Sequence, residues 1–80
     1  MALRLLFLGR LEDTAGAPER QVEPVPSFAE LLASLEPSLA AALRADRVRL
    51  AVNGALVADR SAHTLRDGDE IAFLPPVSGG

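Results

Sequence analysis

Glu70-Ile71-Ala72-Phe73-Leu74-Pro75-Pro76, EIAFLPP, is the stretch that decides the fold. Ile71 and Phe73 share one parity and Leu74 takes the other, the period of two that a β-strand imposes. Pro75 and Pro76 have no N–H to give a neighbouring ladder, so the strand stops at Leu74. Near the other end of the chain, Ala2–Leu8 (ALRLLFL) alternates in the same way. Leu3, Leu5 and Phe7 lie on one face; Arg4, Leu6 and Leu8 lie on the other. Strands apolar on both faces are read as interior strands. The first and last strands are therefore expected side by side at the centre of one sheet.

Working outward, Gly9, Gly16 and Pro18 punctuate a connection with one helical turn expected at Leu11–Ala15. Arg20–Val25 reads as a strand kept at an edge by Pro24 and hairpinned onto the first. Ser27 and Glu30 have the S-x-x-E spacing of a capping box, which satisfies free N–H groups at a helix start. Phe28, Leu31, Leu32 and Leu35 follow as one apolar stripe, and Pro37 ends it. A looser helical stretch with Leu39 and Leu43 inward is expected next. Arg47–Gly54 is a strand closing on Asn53-Gly54, a strong hairpin turn signal. A brief strand, a loop and a turn at Asp67-Gly68-Asp69 complete the chain. This order predicts an α+β fold: a mixed sheet of four to five strands on one main helix, the β-grasp arrangement. Residues 1–74 form that domain and residues 75–80 a projecting tail.

Eighty residues make one domain, which buries only about 60–65% of its unfolded surface and leaves no room for a deep catalytic cleft. A net charge of −3 has the wrong sign for a phosphate-backbone binder, so no nucleic acid is expected. All eight basic residues are arginine, so no lysine amine is offered to an acylating agent. With no cysteine there is no disulfide, thiolate nucleophile or thiolate metal site. Arg4 interrupts the apolar start before it can serve as a signal peptide, and no run reaches membrane-span length. A cytoplasmic protein with no membrane partner is expected.

Side-chain constellations are weak. Asp59, Ser61 and His63 sit on one loop, whereas a triad converges from separate elements. Asp67, Asp69 and Glu70 miss the spacing of a calcium loop. A lone His without cysteine is a poor start for a zinc site, so no metal is expected. Arg44, Arg47 and Arg49 read either as a solvated face or as a contact with an acidic or phosphate-bearing partner. The remaining chemical group is the α-carboxylate of Gly80. Gly79 and Gly80 carry no Cβ and fit a narrow slot. Pro75 and Pro76 favour an extended exit, and Pro75–Gly80 reach roughly 20 Å when extended.

DGDEIAFLPPVSGG, AVNG and the opening RLLFLGRLEDTAG resemble the small subunit of molybdopterin synthase, the MoaD type, over nearly the whole chain. That resemblance implies a ubiquitin-like β-grasp sulfur carrier. It implies an ATP-dependent adenylating enzyme of the MoeB type, similar to ubiquitin activators, which joins the Gly80 carboxylate to AMP. A sulfur donor protein then converts it to a thiocarboxylate. A large subunit of the MoaE type receives the tail in a heterotetramer, and two sulfur transfers build the dithiolene for molybdenum or tungsten. The resemblance implies no permanently bound cofactor, only transient acyl-AMP and thiocarboxylate on Gly80. Leu8, Leu56 and Leu74 are expected to form an apolar docking patch near the tail, with Pro75, Pro76, Val77 and Ser78 entering the partner. Carriers for thiamine synthesis or tRNA thiolation, a ubiquitin-like modifier and an adaptor with an inert tail are the alternatives.

Overall fold

The computed structural model describes residues 2–45 and 47–75. Along the chain run β1 (Leu3–Phe7), α1 (Arg10–Ala15), β2 (Glu19–Val22), α2 (Phe28–Ala33), α3 (Pro37–Arg44), β3 (Arg49–Val52), β4 (Ala55–Leu56) and β5 (Glu70–Leu74). The strands form one sheet in the order β2-β1-β5-β3-β4. β1 and β5 are its parallel centre, with Leu5 opposite Ile71 and Phe7 opposite Phe73. β2 pairs antiparallel with β1, and β3 pairs antiparallel with β5 and β4. This is the expected α+β architecture, with doubly apolar strands inside and the proline-flanked strand at an edge. β2 ends at Val22, short of the expected Val25, so Pro24 lies beyond the ladder and removes no bond from it.

The inward parity of each strand builds the core. Leu3, Leu5, Phe7, Leu50, Val52, Ile71 and Phe73 are all buried. The Phe73 ring stacks on Phe7 with centroids 5.6 Å apart and meets Phe28 at 6.1 Å. Phe28, Leu31, Leu32 and Leu35 face the sheet as their spacing requires, joined by Leu39 and Leu43. The helical layer differs from the single main helix expected. α2 has six residues and α3 has eight. Ser27 Oγ accepts from the Glu30 N–H at 3.1 Å and starts α2. Glu36 is extended (φ −57°, ψ 142°), the conformation favoured before proline. Pro37 then opens α3, where a missing N–H removes no intrahelical bond.

Three polar staples hold the loops. Arg20 donates to both carboxylate oxygens of Glu36 (2.6 and 3.1 Å) and to the Ala15 carbonyl at the end of α1. Arg60 lies 5.2 Å over the Phe28 ring and donates to the carbonyls of Leu43 and Val48. Asn53 and Gly54 both take positive φ (52° and 86°), the requirement of the tight β3–β4 turn. The Asn53 side chain donates to Asp69 and accepts from the Glu70 N–H.

Candidate functional site

The helices cover one face of the sheet, and the opposite face is open. The register arranges that open face in rows. Arg4 lies beside Glu70 and Gln21, and pairs with Glu19 (3.0 Å) and Glu70 (3.4 Å). The next row is Leu6, Ala72, Ala51 and Leu56, in that order across β1, β5, β3 and β4. Leu74 faces Arg49 in the third row, and continuing the β1–β5 register one residue sets Leu8 beside Leu74. Polar residues thus occupy the start of β1 and β5, and apolar ones their ends.

Leu8 is 44% exposed and Leu56 71% exposed, the large apolar residues most open to solvent among those described. Leu74 is half-buried. Leu8 and Leu74 are neighbours, whereas Leu56 lies two strands from Leu74 and joins them only through Ala51 and Ala72. Those small residues and Leu6 complete the apolar surface. Sequence parity alone reveals Leu6; the part played by Ala51 and Ala72 needs the strand order.

Pro75, the last described residue, lies beside this surface. Leu8 N–H donates to the Phe73 carbonyl at 3.2 Å, and Pro75 follows one residue after β5. Gly9 turns the chain from β1 into α1 with φ +56° and ψ −136°. A Cβ at Gly9 would stand 2.9 Å from Pro75 Cγ, so the Pro75 ring rests on bare backbone. Pro76, Val77, Ser78, Gly79 and Gly80 lie outside the described residues.

The other candidates hold no converged chemistry. The Ser61 hydroxyl donates to Asp59 at 2.6 Å and the Ser61 N–H to the same carboxylate oxygen, a local turn. These bonds to Ser61 hold the Asp59 carboxyl below its usual range. The Asp69 carboxylate accepts from Asn53 Nδ2 and the Arg66 N–H, and those bonds hold its pKa down and close the Asp67-Gly68-Asp69 turn. Among the described residues no group of three His, Asp or Glu side chains is placed to hold a metal. Arg44, Arg47 and Arg49 are exposed. A shallow groove of about 370 Å³ runs between Phe28, Leu32, Arg44, Arg60 and Ser61. Its inner cation, Arg60, is already engaged by two backbone carbonyls. No described helix is long and apolar enough to cross a membrane.

A five-stranded mixed sheet with helices on one face, a parallel centre and an open apolar side defines a ubiquitin-like β-grasp domain. The model of the ThiS family matches residues 5–80, and the chain belongs to that family. It is 33% identical to the molybdopterin synthase sulfur carrier subunit of Escherichia coli, covering 98% of this chain and 99% of that one. One protein of the complex of subunits 1 and 2 of molybdopterin-converting factor from Helicobacter pylori superimposes with a TM-score of 0.71 at 28% identity, over 100% of both chains. Small archaeal modifier protein 1 from Methanosarcina acetivorans gives 0.78 at 25% identity, over 99% of this chain and 96% of its own.

Proposed function

We propose that this chain is the sulfur carrier subunit of a molybdopterin synthase, working from the cytoplasm through the carboxylate of Gly80. The observation that carries the reading is the place of Pro75. The tail begins at the end of a central strand, beside Leu8 and Leu74 on an uncovered apolar face. A large subunit of the MoaE type seated on that face meets the tail at its root. Leu8, Leu56 and Leu74 form the seat, and Pro75–Ser78 lead Gly79-Gly80 into its active site. Residues 1–74 are then the domain and residues 75–80 the working arm. The full-length likeness to three curated sulfur carrier subunits supports the same assignment.

The chemistry follows from the terminal group. A carboxylate resists nucleophilic attack. An adenylating enzyme of the MoeB type joins a Gly80 oxygen to the α-phosphorus of ATP and releases pyrophosphate. A sulfide-level nucleophile from a donor protein attacks the carbonyl carbon; the C–S bond forms and AMP leaves with the electron pair of the C–O bond. The thiocarboxylate sulfur attacks a carbon of the pterin precursor held by the large subunit, displacing an oxygen of the precursor that leaves with the electron pair of its C–O bond, and water then cleaves the acyl–sulfur bond. Sulfur stays on the pterin and Gly80 returns as carboxylate. Without cysteine the chain offers no thiol to carry the sulfur instead.

Intact-mass measurement tests this directly. Incubation with the activating enzyme, ATP and a sulfur source exchanges one oxygen of the chain for one sulfur, and the product converts the precursor once the large subunit is added. Removal of Gly80 abolishes both. A shortened chain that still donates sulfur refutes the reading. The likeness to a small archaeal modifier protein favours a second reading, in which Gly80 is joined to lysines of other proteins. Recovery of Gly80 in isopeptide linkage from cells, with no thiocarboxylate form, would select it.

A further inference from the structure

We infer that Gly9 is a positioning residue for sulfur delivery: its bare Cα seats the Pro75 ring and sets the direction in which the tail leaves the domain. The inference rests on the proposed carrier function. The hydrogen-bonded ladder cannot set that direction, because Pro75 has no N–H to extend it. On the β1 side the last rung is Leu8 N–H to the Phe73 carbonyl, and on the β3 side Leu74 pairs with Arg49. Beyond these the ring meets Gly9. An added Cβ would stand 2.9, 3.7 and 3.9 Å from Pro75 Cγ, Cδ and Cβ. Carbon atoms rest at about 3.5–4.0 Å, so the first of these contacts forces one side to move.

Neither side is free to move without consequence. Gly9 is held between the β1–β5 ladder and α1, where the Leu11 and Glu12 N–H groups bond to the Leu8 and Gly9 carbonyls. Leu11 is buried in the core and ties α1 down. Pro75 is therefore the part that yields, and five residues follow it in the sequence. Backbone conformation alone does not explain the contact. Gly16 also has positive φ, and a Cβ there meets nothing within 4 Å. Gly9 differs in serving the turn and the tail at once.

The test uses thiocarboxylated full-length chain with its large subunit, comparing wild type, Gly9→Ala, Gly16→Ala, Pro75→Ala and the Gly9→Ala/Pro75→Ala double variant. Complex affinity is measured by titration calorimetry. Sulfur transfer is measured in single turnover at saturating large subunit, well below every melting temperature. A misplacement near 1 Å slows an oriented reaction by on the order of 100-fold, so Gly9→Ala loses transfer rate on that scale while keeping its affinity. Gly16→Ala transfers as wild type. The double variant transfers no more slowly than Pro75→Ala alone, because the ring that clashes is gone. Wild-type transfer by Gly9→Ala, a loss confined to affinity, or additive losses in the double variant each overturn the inference. If Gly9→Ala does not fold, Pro75→Ala decides: slower transfer at full affinity upholds the seat, and an unchanged rate removes it. Failure of the wild-type thiocarboxylate to transfer sulfur at all refutes the carrier function instead.

Discussion

Truncating Leu56 and Leu8 to alanine separates docking from folding, because the two side chains divide their surface differently. Full burial of a leucine side chain is worth about 1.5–3 kcal/mol. Leu56 keeps 71% of its surface in water and Leu8 keeps 44%. Covering the remainder by a partner is then worth about 1–2 kcal/mol at Leu56 and about 0.7–1.3 kcal/mol at Leu8. Alanine at Leu56 weakens the complex by roughly 5–30-fold, and alanine at Leu8 by roughly 3–8-fold. The order reverses in stability. The surface already buried gives about 0.8–1.7 kcal/mol at Leu8 and about 0.4–0.9 kcal/mol at Leu56. Titration calorimetry against the large subunit reads the first pair of numbers, and urea unfolding of the free chain reads the second. Leu8→Asp and Leu74→Asp weaken docking further by placing a charge in an apolar contact, with the domain still folded. Unchanged affinity for Leu56→Ala would remove Leu56 from the interface, and unchanged affinity for both variants would remove the open face altogether.

Phe73→Ala takes away a fully buried ring and its contacts with Phe7 and Phe28. It destabilises by about 3–5 kcal/mol, a large share of the roughly 4–12 kcal/mol expected for this length, and urea unfolding that moves by under about 1.5 kcal/mol contradicts the core described. The Arg20 hydrogen bond lowers the Glu36 pKa from 4.5 to about 2. A depressed folded-state pKa means stability is present above the unfolded value and is lost as pH falls from about 4.5 towards 2. Glu36→Gln flattens that part of a stability–pH curve, and an unaltered curve excludes the pair as its source. Ser27→Ala removes the cap of α2 and lowers stability by about 1 kcal/mol, whereas Ser27→Asn lowers it little; equal losses would place the effect elsewhere.

The spine of this fold is legible in the sequence because β1 and β5 carry leucine, isoleucine and phenylalanine on two parities, and both strands do lie at the centre of the sheet, although only the inner parity is buried and Leu8 and Leu74 stay on the open face. The β3–β4 turn is legible because Asn53-Gly54 accepts two positive φ angles. Pro37 marks the split of the helical layer, but the early end of α2 is harder to read. Phe28, Leu31, Leu32 and Leu35 keep one stripe although α2 ends at Ala33, so periodicity runs through the break. Arg20 and Arg60 look like solvated charges in one dimension, yet each closes a loop by donating to carbonyls from distant elements. At the candidate site, parity gives Leu8 and Leu74 directly. Leu56 becomes their neighbour only through the order β5-β3-β4. Gly9 reads as punctuation, since nothing local links it to a proline at the far end of the chain.

The parallel pairing of β1 with β5 also governs when the molecule can form. Leu5 waits for Ile71, so β1 has no central partner until β5 has been made. Contacts this distant in sequence close late and slowly. A chain broken off before Glu70 lacks β5, and with it the strand that joins β1 to β3.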